Sequence, residues 1–230
     1  MKVSEKLKGH ICPKWLKKLT PLLDSPVMEQ LFAELSRRKS LGKVIYPAQE
    51  DIFNVFKQPF DDIKVVILGQ DPYHGFGQAN GYAFATNEKK CPPSLRNILK
   101  EVEDDIYNGL NLEKDPNDFT LKNWTNQGVF LLNTALTVEE GSPGSHIDLW
   151  TKFTVEVMKI LSEDKPGLIY MLWGKKAQLF KVFLNQKTSF ILEAPHPSPL
   201  AGGGFFGCKH FSRANEIING LNGKEFIINW

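Results

Sequence analysis

Four short apolar runs recur along the chain, Lys64–Leu68, Val129–Leu132, Leu168–Trp173 and Ser189–Glu193. They are near-continuous rather than alternating, the pattern of strands buried on both faces. Longer segments read as helices, Ser94–Tyr107, Ile147–Leu161, Lys175–Phe183 and Ser212–Leu221, and the N-terminal third adds Met28–Lys39 and Glu50–Lys57. Strands alternating with helices predict an α/β fold, a three-layer sandwich whose central four-stranded parallel sheet is flanked by helices. No repeat, low-complexity tract or Ser/Gly linker breaks the pattern, so residues 1–230 are expected to form a single domain.

Composition narrows the class without deciding the chemistry. The 42% hydrophobic and 23% charged residues are ordinary for a globular protein, and a net charge of +2 neither demands nor excludes a nucleic-acid partner. Cys12, Cys91 and Cys208 are far apart and form no C-x-x-C pair, which argues against a zinc site or disulfide framework and for a reducing compartment. No apolar stretch approaches the roughly 20 residues of a membrane span, and the N-terminus has no continuous apolar leader core. A soluble intracellular protein is expected.

The chemistry gathers where the strands end. In a parallel sheet these ends share one edge, and open α/β sheets bind ligands in crevices there. The first strand runs into Gly69-Gln70-Asp71-Pro72-Tyr73-His74-Gly75, the second into Asn133-Thr134-Ala135, the third into Gly174-Lys175-Lys176, and the fourth into Ala194-Pro195-His196-Pro197-Ser198-Pro199-Leu200. Each residue has a bland and a functional reading. Asp71 is either a helix N-cap or a catalytic carboxylate; His196 is either structural or a hydrogen-bond donor or general acid. Asn133 either caps a turn or reads an amide-like base edge, since its side chain both donates and accepts. Phe84 is core or a stacking platform, and Leu200 a buried anchor or an inserting tip. Ser94 reads as the N-cap of its helix, whose first turn would also seat a phosphate. Lys209 and Arg213 lie beside aromatic residues in Cys208–Arg213, which suits phosphate and base contacts but equally a solvated helix start. Together the set suits an enzyme acting on a nucleic-acid base better than a metal hydrolase, which would need more Asp, Glu and His ligands.

In this order the motifs resemble the family-1 uracil-DNA glycosylases. The segments that carry the likeness are Gly69–His74, Leu131-Leu132-Asn133-Thr134, Leu172-Trp173-Gly174, His196–Leu200 and Gly204-Phe205-Phe206-Gly207-Cys208. The resemblance implies excision of uracil from single- or double-stranded DNA, without metal or cofactor, by flipping the nucleotide and hydrolysing its N-glycosidic bond at the start of base excision repair. It implies that Asp71 and His196 are catalytic, and that Gln70, Tyr73, Phe84 and Asn133 bind uracil. His74, Ser94, Gly174, Ser198 and Leu200 would contact DNA, with Leu200 filling the vacated space. It further implies a monomer, cytoplasmic if bacterial, open to a protein inhibitor that mimics DNA. Two positions depart from the pattern: Ala201 stands where serine is common, and Lys175 where a small residue is. The acidic start of Glu139–His146 argues against a DNA-contacting patch there, and the first 20 residues carry no interpretable motif. The alternative, a glycosylase-like DNA-binding accessory subunit of replication, is disfavoured because Asp71 and His196 are both present.

Overall fold

The computed structural model describes residues 2–108 and 118–230. Three helices lead, α1 (Val3–Leu7), α2 (Pro13–Leu23) and α3 (Pro26–Ser40), followed by the short strand β1 (Ile45–Tyr46). Next come β2 (Val65–Gly69), α4 (Pro93–Ile106), α5 (Lys122–Asn126), β3 (Val129–Asn133) and β4 (Val138–Glu139). The chain then runs through α6 (Ile147–Asp164), β5 (Ile169–Trp173), α7 (Lys175–Gln178), β6 (Phe190–Ala194) and α8 (His210–Asn222). β2, β3, β5 and β6 form one sheet in the order β3-β2-β5-β6, parallel throughout. The expected architecture and all four expected strands are therefore present.

Period-2 geometry divides the apolar runs between two cores. Val66, Leu68, Phe130, Leu132, Tyr170 and Leu172 face α2, α3 and α6. Their neighbours Val65, Ile67, Val129, Leu131, Ile169 and Met171 face α4 and α8. Because both faces are covered, β2, β3 and β5 are buried from end to end, and only the edge strand β6 is partly exposed.

Two helix expectations need correction. Glu50–Lys57 is not an α-helix but two 3-10 turns, Gln49–Asp51 and Asn54–Lys57. Ile52, Phe53, Val55 and Phe56 are all buried, and Asn54 Nδ2 is tied to Asp51 Oδ1 (2.7 Å) and the Asn80 carbonyl (2.9 Å). A single amphipathic stripe cannot bury so nearly continuous a run; tight turns can. Lys175–Phe183 is α-helical only to Gln178 and continues as a 3-10 turn, Leu179–Phe183. Conversely, α2 lies in the segment without a recognised motif. Its Trp15, Leu19 and Leu23 recur every four residues and are fully buried, with Trp15 stacked on Phe130 at 5.2 Å between ring centroids. Among the described residues no helix is long and apolar enough to cross a membrane.

Candidate active site

The register of the sheet aligns Gly69, the last residue of β2, with Asn133, the last of β3. Beyond that pair the two strand ends are stitched together. The Thr134 N–H donates to the Gly69 carbonyl (2.9 Å), and the Gln70 carbonyl accepts from Thr134 Oγ1 (2.5 Å) and the Ala135 N–H (3.0 Å). The turn that carries Asp71 and the strand end that carries Asn133 are thus one mechanical unit. Together with Tyr73, Phe84 and His196 they line a cavity of about 180 Å³. That is below the ~300–1,000 Å³ of drug-sized pockets and suits one small flat ring.

Asp71 is half-buried at the wall of this cavity. Its Oδ2 accepts from the Gly144 N–H and its Oδ1 from Gln70 Nε2 at 3.1 Å. Burial pushes its pKa above the ordinary carboxylate value, while those two donors, Lys176 and His74 pull it back. Each oxygen keeps a lone-pair direction for a water or substrate atom.

His196 is held in one hydrogen-bonding state. The Ser198 N–H donates to its Nδ1 at 3.0 Å, so the neutral ring carries its proton on Nε2. Burial lowers its pKa, against the pull of Asp71 and with some help from Lys176, so the ring is neutral at pH 7. Gly174 makes this placement possible. A Cβ there would stand 2.9 Å from His196 Cβ, and its φ of +86° is one that side-chain-bearing residues rarely adopt. Gly174 thus abuts the histidine loop as well as capping α7.

Asn133 is 4% exposed, and its Oδ1 has no hydrogen-bond partner among the described residues. Buried polar atoms in folded proteins are nearly always satisfied, so this acceptor at the cavity wall is open to a donor from a water or a bound molecule. Gly69 leaves the room: a Cβ there would overlap Asn133 Oδ1 and lie 2.9 Å from Ala83 Cβ. The Tyr73 hydroxyl donates to the Phe84 carbonyl at 3.1 Å, which fixes its ring at the cavity wall; burial raises its pKa and keeps it a phenol. Phe84 lies against Trp173 (5.7 Å) and His196 (5.9 Å), a half-buried aromatic surface that a flat ring can stack on.

Of the residues expected to meet DNA, His74 and Ser94 line the cavity, His74 exposed and Ser94 half-buried. The N-cap expectation for Ser94 is corrected. Pro92 caps α4, Pro93 opens it, and Ser94 is its second residue, with no side-chain cap. Proline at the first position, with φ already helical and no N–H to satisfy, starts the helix two residues earlier than a serine cap would. Ser198 Oγ accepts from the Leu200 N–H (3.2 Å), closing a turn that presents Leu200 with 96% of its surface in solvent. This apolar tip is held from below by α4. Asn97 Nδ2 donates to the Pro197 carbonyl (2.7 Å), and Glu101 accepts the Gly207 (2.7 Å) and Lys209 (3.0 Å) N–H groups. Asp105 accepts from Ser212 N–H (2.8 Å) and Oγ (2.6 Å).

The structure thus brings every expected pocket residue to one edge of the sheet. It adds Gly69, Tyr82, Gly144 and Lys176, which the sequence reading passed over. Tyr82 lies two residues before Phe84, and Gly69 and Lys176 stand in the strand-end loops already named, so position could have flagged them; a backbone N–H such as that of Gly144 leaves no trace in a sequence.

Comparison with known proteins agrees with this geometry. The Uracil DNA glycosylase superfamily profile matches residues 56–219. A uracil-DNA glycosylase of Aliivibrio fischeri is 48% identical over 206 residues, 88% of this chain and 89% of that protein. One of Blochmanniella floridana is 44% identical over 220 residues, 94% and 97% of the two chains. The crystal structure of mimivirus uracil-DNA glycosylase superposes with a TM-score of 0.85 at 28% identity, covering 96% of this chain and 88% of that one. A Y322L form of the mimivirus protein, solved in complex with UGI, gives 0.87 at 29% identity, covering 97% and 90%. With most of the length matched in sequence and in fold, the chain belongs to the uracil-DNA glycosylase superfamily.

Proposed function

We propose that the chain excises uracil from DNA by hydrolysing the N-glycosidic bond, with the cavity at the ends of β2 and β3 receiving the flipped base. The observation that carries this reading is the convergence of Asp71, His196, Asn133, Tyr73 and Phe84 around a cavity too small for more than one base. Uracil stacks on Phe84. Asn133 accepts from N3–H through its unpartnered Oδ1 and donates to O4, a pairing that cytosine, with an acceptor at N3 and a donor at C4, cannot make. Tyr73 stands where a C5 methyl would project, and its bond to the Phe84 carbonyl stops it from swinging away.

As the C1′–N1 bond breaks, its electron pair moves into the uracil ring and positive charge grows on the sugar. His196, neutral and with its proton on Nε2, donates to the departing base at O2; a preorganised donor of this kind is worth ~3–4 kcal/mol. Asp71 stabilises the cationic sugar and orients the water that adds to C1′; His74 stands beside it toward the phosphates. The Gln70 backbone fixes the base-binding turn. Ser94, Ser198 and the Gly174 turn grip the backbone, and Leu200 enters the space that the base vacates. The chain acts as a monomer without metal or cofactor, in a cell's DNA-containing cytoplasm if bacterial, and a protein inhibitor that mimics DNA would cover the same edge.

The test is incubation with an oligonucleotide carrying one uracil, in excess EDTA, followed by alkali. Strand breaks at uracil alone, with thymine and cytosine controls intact, support the reading. Binding without cleavage refutes it and favours the accessory-subunit alternative.

A further inference from the structure

The loop between β4 and α6 lies behind Asp71, and its acidic start kept it out of the DNA-facing set. Among the described residues its one hydrogen bond to the carboxylate is from the Gly144 N–H to Oδ2. Glycine brings no side-chain chemistry to that bond, so its direction depends on whatever holds the loop. The Glu140 N–H on the Val44 carbonyl (2.9 Å), the Gly141 N–H on the His74 carbonyl (3.1 Å), the Tyr46 hydroxyl on Glu140 Oε1 (2.7 Å), and Lys43 and His146 beside Glu139 all help to hold it, but one guanidinium on α3 grips both ends of the loop. Arg38 Nη1 donates to Glu139 Oε1 (2.8 Å) and to the Ser145 carbonyl (3.3 Å), and its Nε donates to Glu34 Oε1 (2.8 Å). Within the loop, the Glu139 N–H donates to Ser145 Oγ (2.9 Å), and the Ser142 N–H to the Glu139 carbonyl (3.1 Å). The side chains of Arg38 and Glu139 are only 24% and 12% exposed, unlike the solvated surface pairs that contribute little. Arg37 supplies an internal contrast. It pairs with the same Glu34 (2.7 Å) but is 59% exposed, and no bond from it to the loop is present among the described residues.

We propose that Arg38 is a positioning residue for the glycosylase reaction: by clamping Glu139 and the Ser145 carbonyl it holds the Gly144 N–H against Asp71 and fixes the face that the carboxylate turns to the substrate. The proposal rests on the reading of Asp71 as the catalytic carboxylate. Arginine suits the task because its planar fork reaches three acceptors at once, whereas a lysine ammonium is a point charge on a flexible stem. Among the described residues the carboxylate's other hydrogen bond is from one neutral amide, Gln70 Nε2, at 3.1 Å. Of the charged or titratable groups that act on it, Lys176 and His196 belong to other loops, and His74 meets the clamped loop through its carbonyl, which accepts from the Gly141 N–H (3.1 Å); Arg38 makes no hydrogen bond to any of the three among the described residues.

The test compares the intact protein with Arg38→Met, Arg38→Lys, Ser145→Ala and, as control, Arg37→Met. Three quantities are read: the single-turnover excision rate on a uracil oligonucleotide, the Kd for DNA carrying an abasic-site analogue, and the titration of Asp71 by carboxyl carbon-13 NMR. Arg38→Met is expected to slow excision by about 10–100-fold, the scale of a small misplacement of a reacting group, with Kd changed less than twofold. Asp71 should titrate at higher pH, since a donor to its charged form is lost, and the acid limb of the rate profile should move up with it. Arg38→Lys should fall between, Ser145→Ala should shift both readouts the same way by less, and Arg37→Met should match the parent. If Arg38→Met fails to fold, Ser145→Ala carries the test. An unshifted Asp71 titration in folded Arg38→Met or Ser145→Ala protein would overturn the proposal, even where the rate falls. Should the parent itself excise nothing, the functional reading fails, while the NMR titration still decides whether Arg38 holds the bond to Asp71.

Discussion

Replacing Gly69 with alanine tests the base-reading geometry with a single methyl group. Gly69 does not occupy a left-handed conformation, so alanine is acceptable to the backbone and its cost is steric. The new Cβ would lie 2.9 Å from Ala83 Cβ, roughly 0.6–1.1 Å inside ordinary carbon–carbon contact, and would overlap Asn133 Oδ1. Ala83 is fully buried and adjoins Phe84, and its N–H is bonded to the Leu131 carbonyl (3.0 Å), so it cannot retreat freely. The amide of Asn133 yields instead. Overpacking of this kind costs ~1–3 kcal/mol of stability, and loss of a bidentate base contact a further ~1–3 kcal/mol of recognition. Excision should therefore slow by about 10–100-fold, with free uracil inhibiting less, while affinity for abasic DNA stays within about twofold. Single-turnover kinetics alongside thermal melting separate the two effects. A folded Gly69→Ala protein that excises uracil at the parental rate would show that Asn133 does not read the base from where it stands.

Other changes address the remaining roles. Asp71→Asn should lower excision by at least ~10²–10³-fold while binding of uracil DNA persists, as a gel-shift titration would show; parental activity would remove Asp71 from the chemistry. Tyr73→Ala should let the enzyme release thymine from DNA, and complete rejection of thymine would place the C5 limit elsewhere. Leu200→Ala should leave the melting temperature nearly unchanged, within about 0.5 kcal/mol, because the side chain is 96% exposed. Excision from duplex should slow more than excision from single strands, and equal effects on both would argue against a space-filling role. His210, buried against Trp173 Nε1 (3.0 Å), has its pKa driven down to about 4 by burial. The unfolded chain takes up this proton first as pH falls below about 6.5, so stability declines from there until the folded protein protonates near 4. The loss amounts to ~3 kcal/mol, and His210→Gln should flatten that part of a denaturant-monitored pH profile; an unchanged profile would refute the assignment.

The sheet was legible because buried parallel strands write themselves as short continuous apolar runs, and each of the four begins and ends within one residue of expectation. Strand order was not, since nothing local to β2 says that it pairs with both β3 and β5. The β1–β4 ladder is two residues long, too short for any periodicity to register. For α2 the signal existed in Trp15, Leu19 and Leu23, but lysines between them and Pro21 within masked it. At the site, side-chain chemistry was visible in the motifs, whereas support by backbone was not. The Gly144 N–H, the Ser198 N–H that sets the His196 tautomer, and the space that Gly69 leaves for Asn133 are properties of three-dimensional placement.

Asn97, Glu101 and Asp105 fall four residues apart on α4, a single stripe along the helix, and each fastens a different part of the segment that runs from Pro197 to Ser212. The helix therefore works as a ruler for the loop that carries Leu200. Inserting one residue between Asn97 and Asp105 would turn the later fasteners by about 100° away from their partners. Helix and loop form a length-locked cassette, so that segment can be moved into another scaffold, or exchanged with a relative's, only together with the stretch of α4 beneath it.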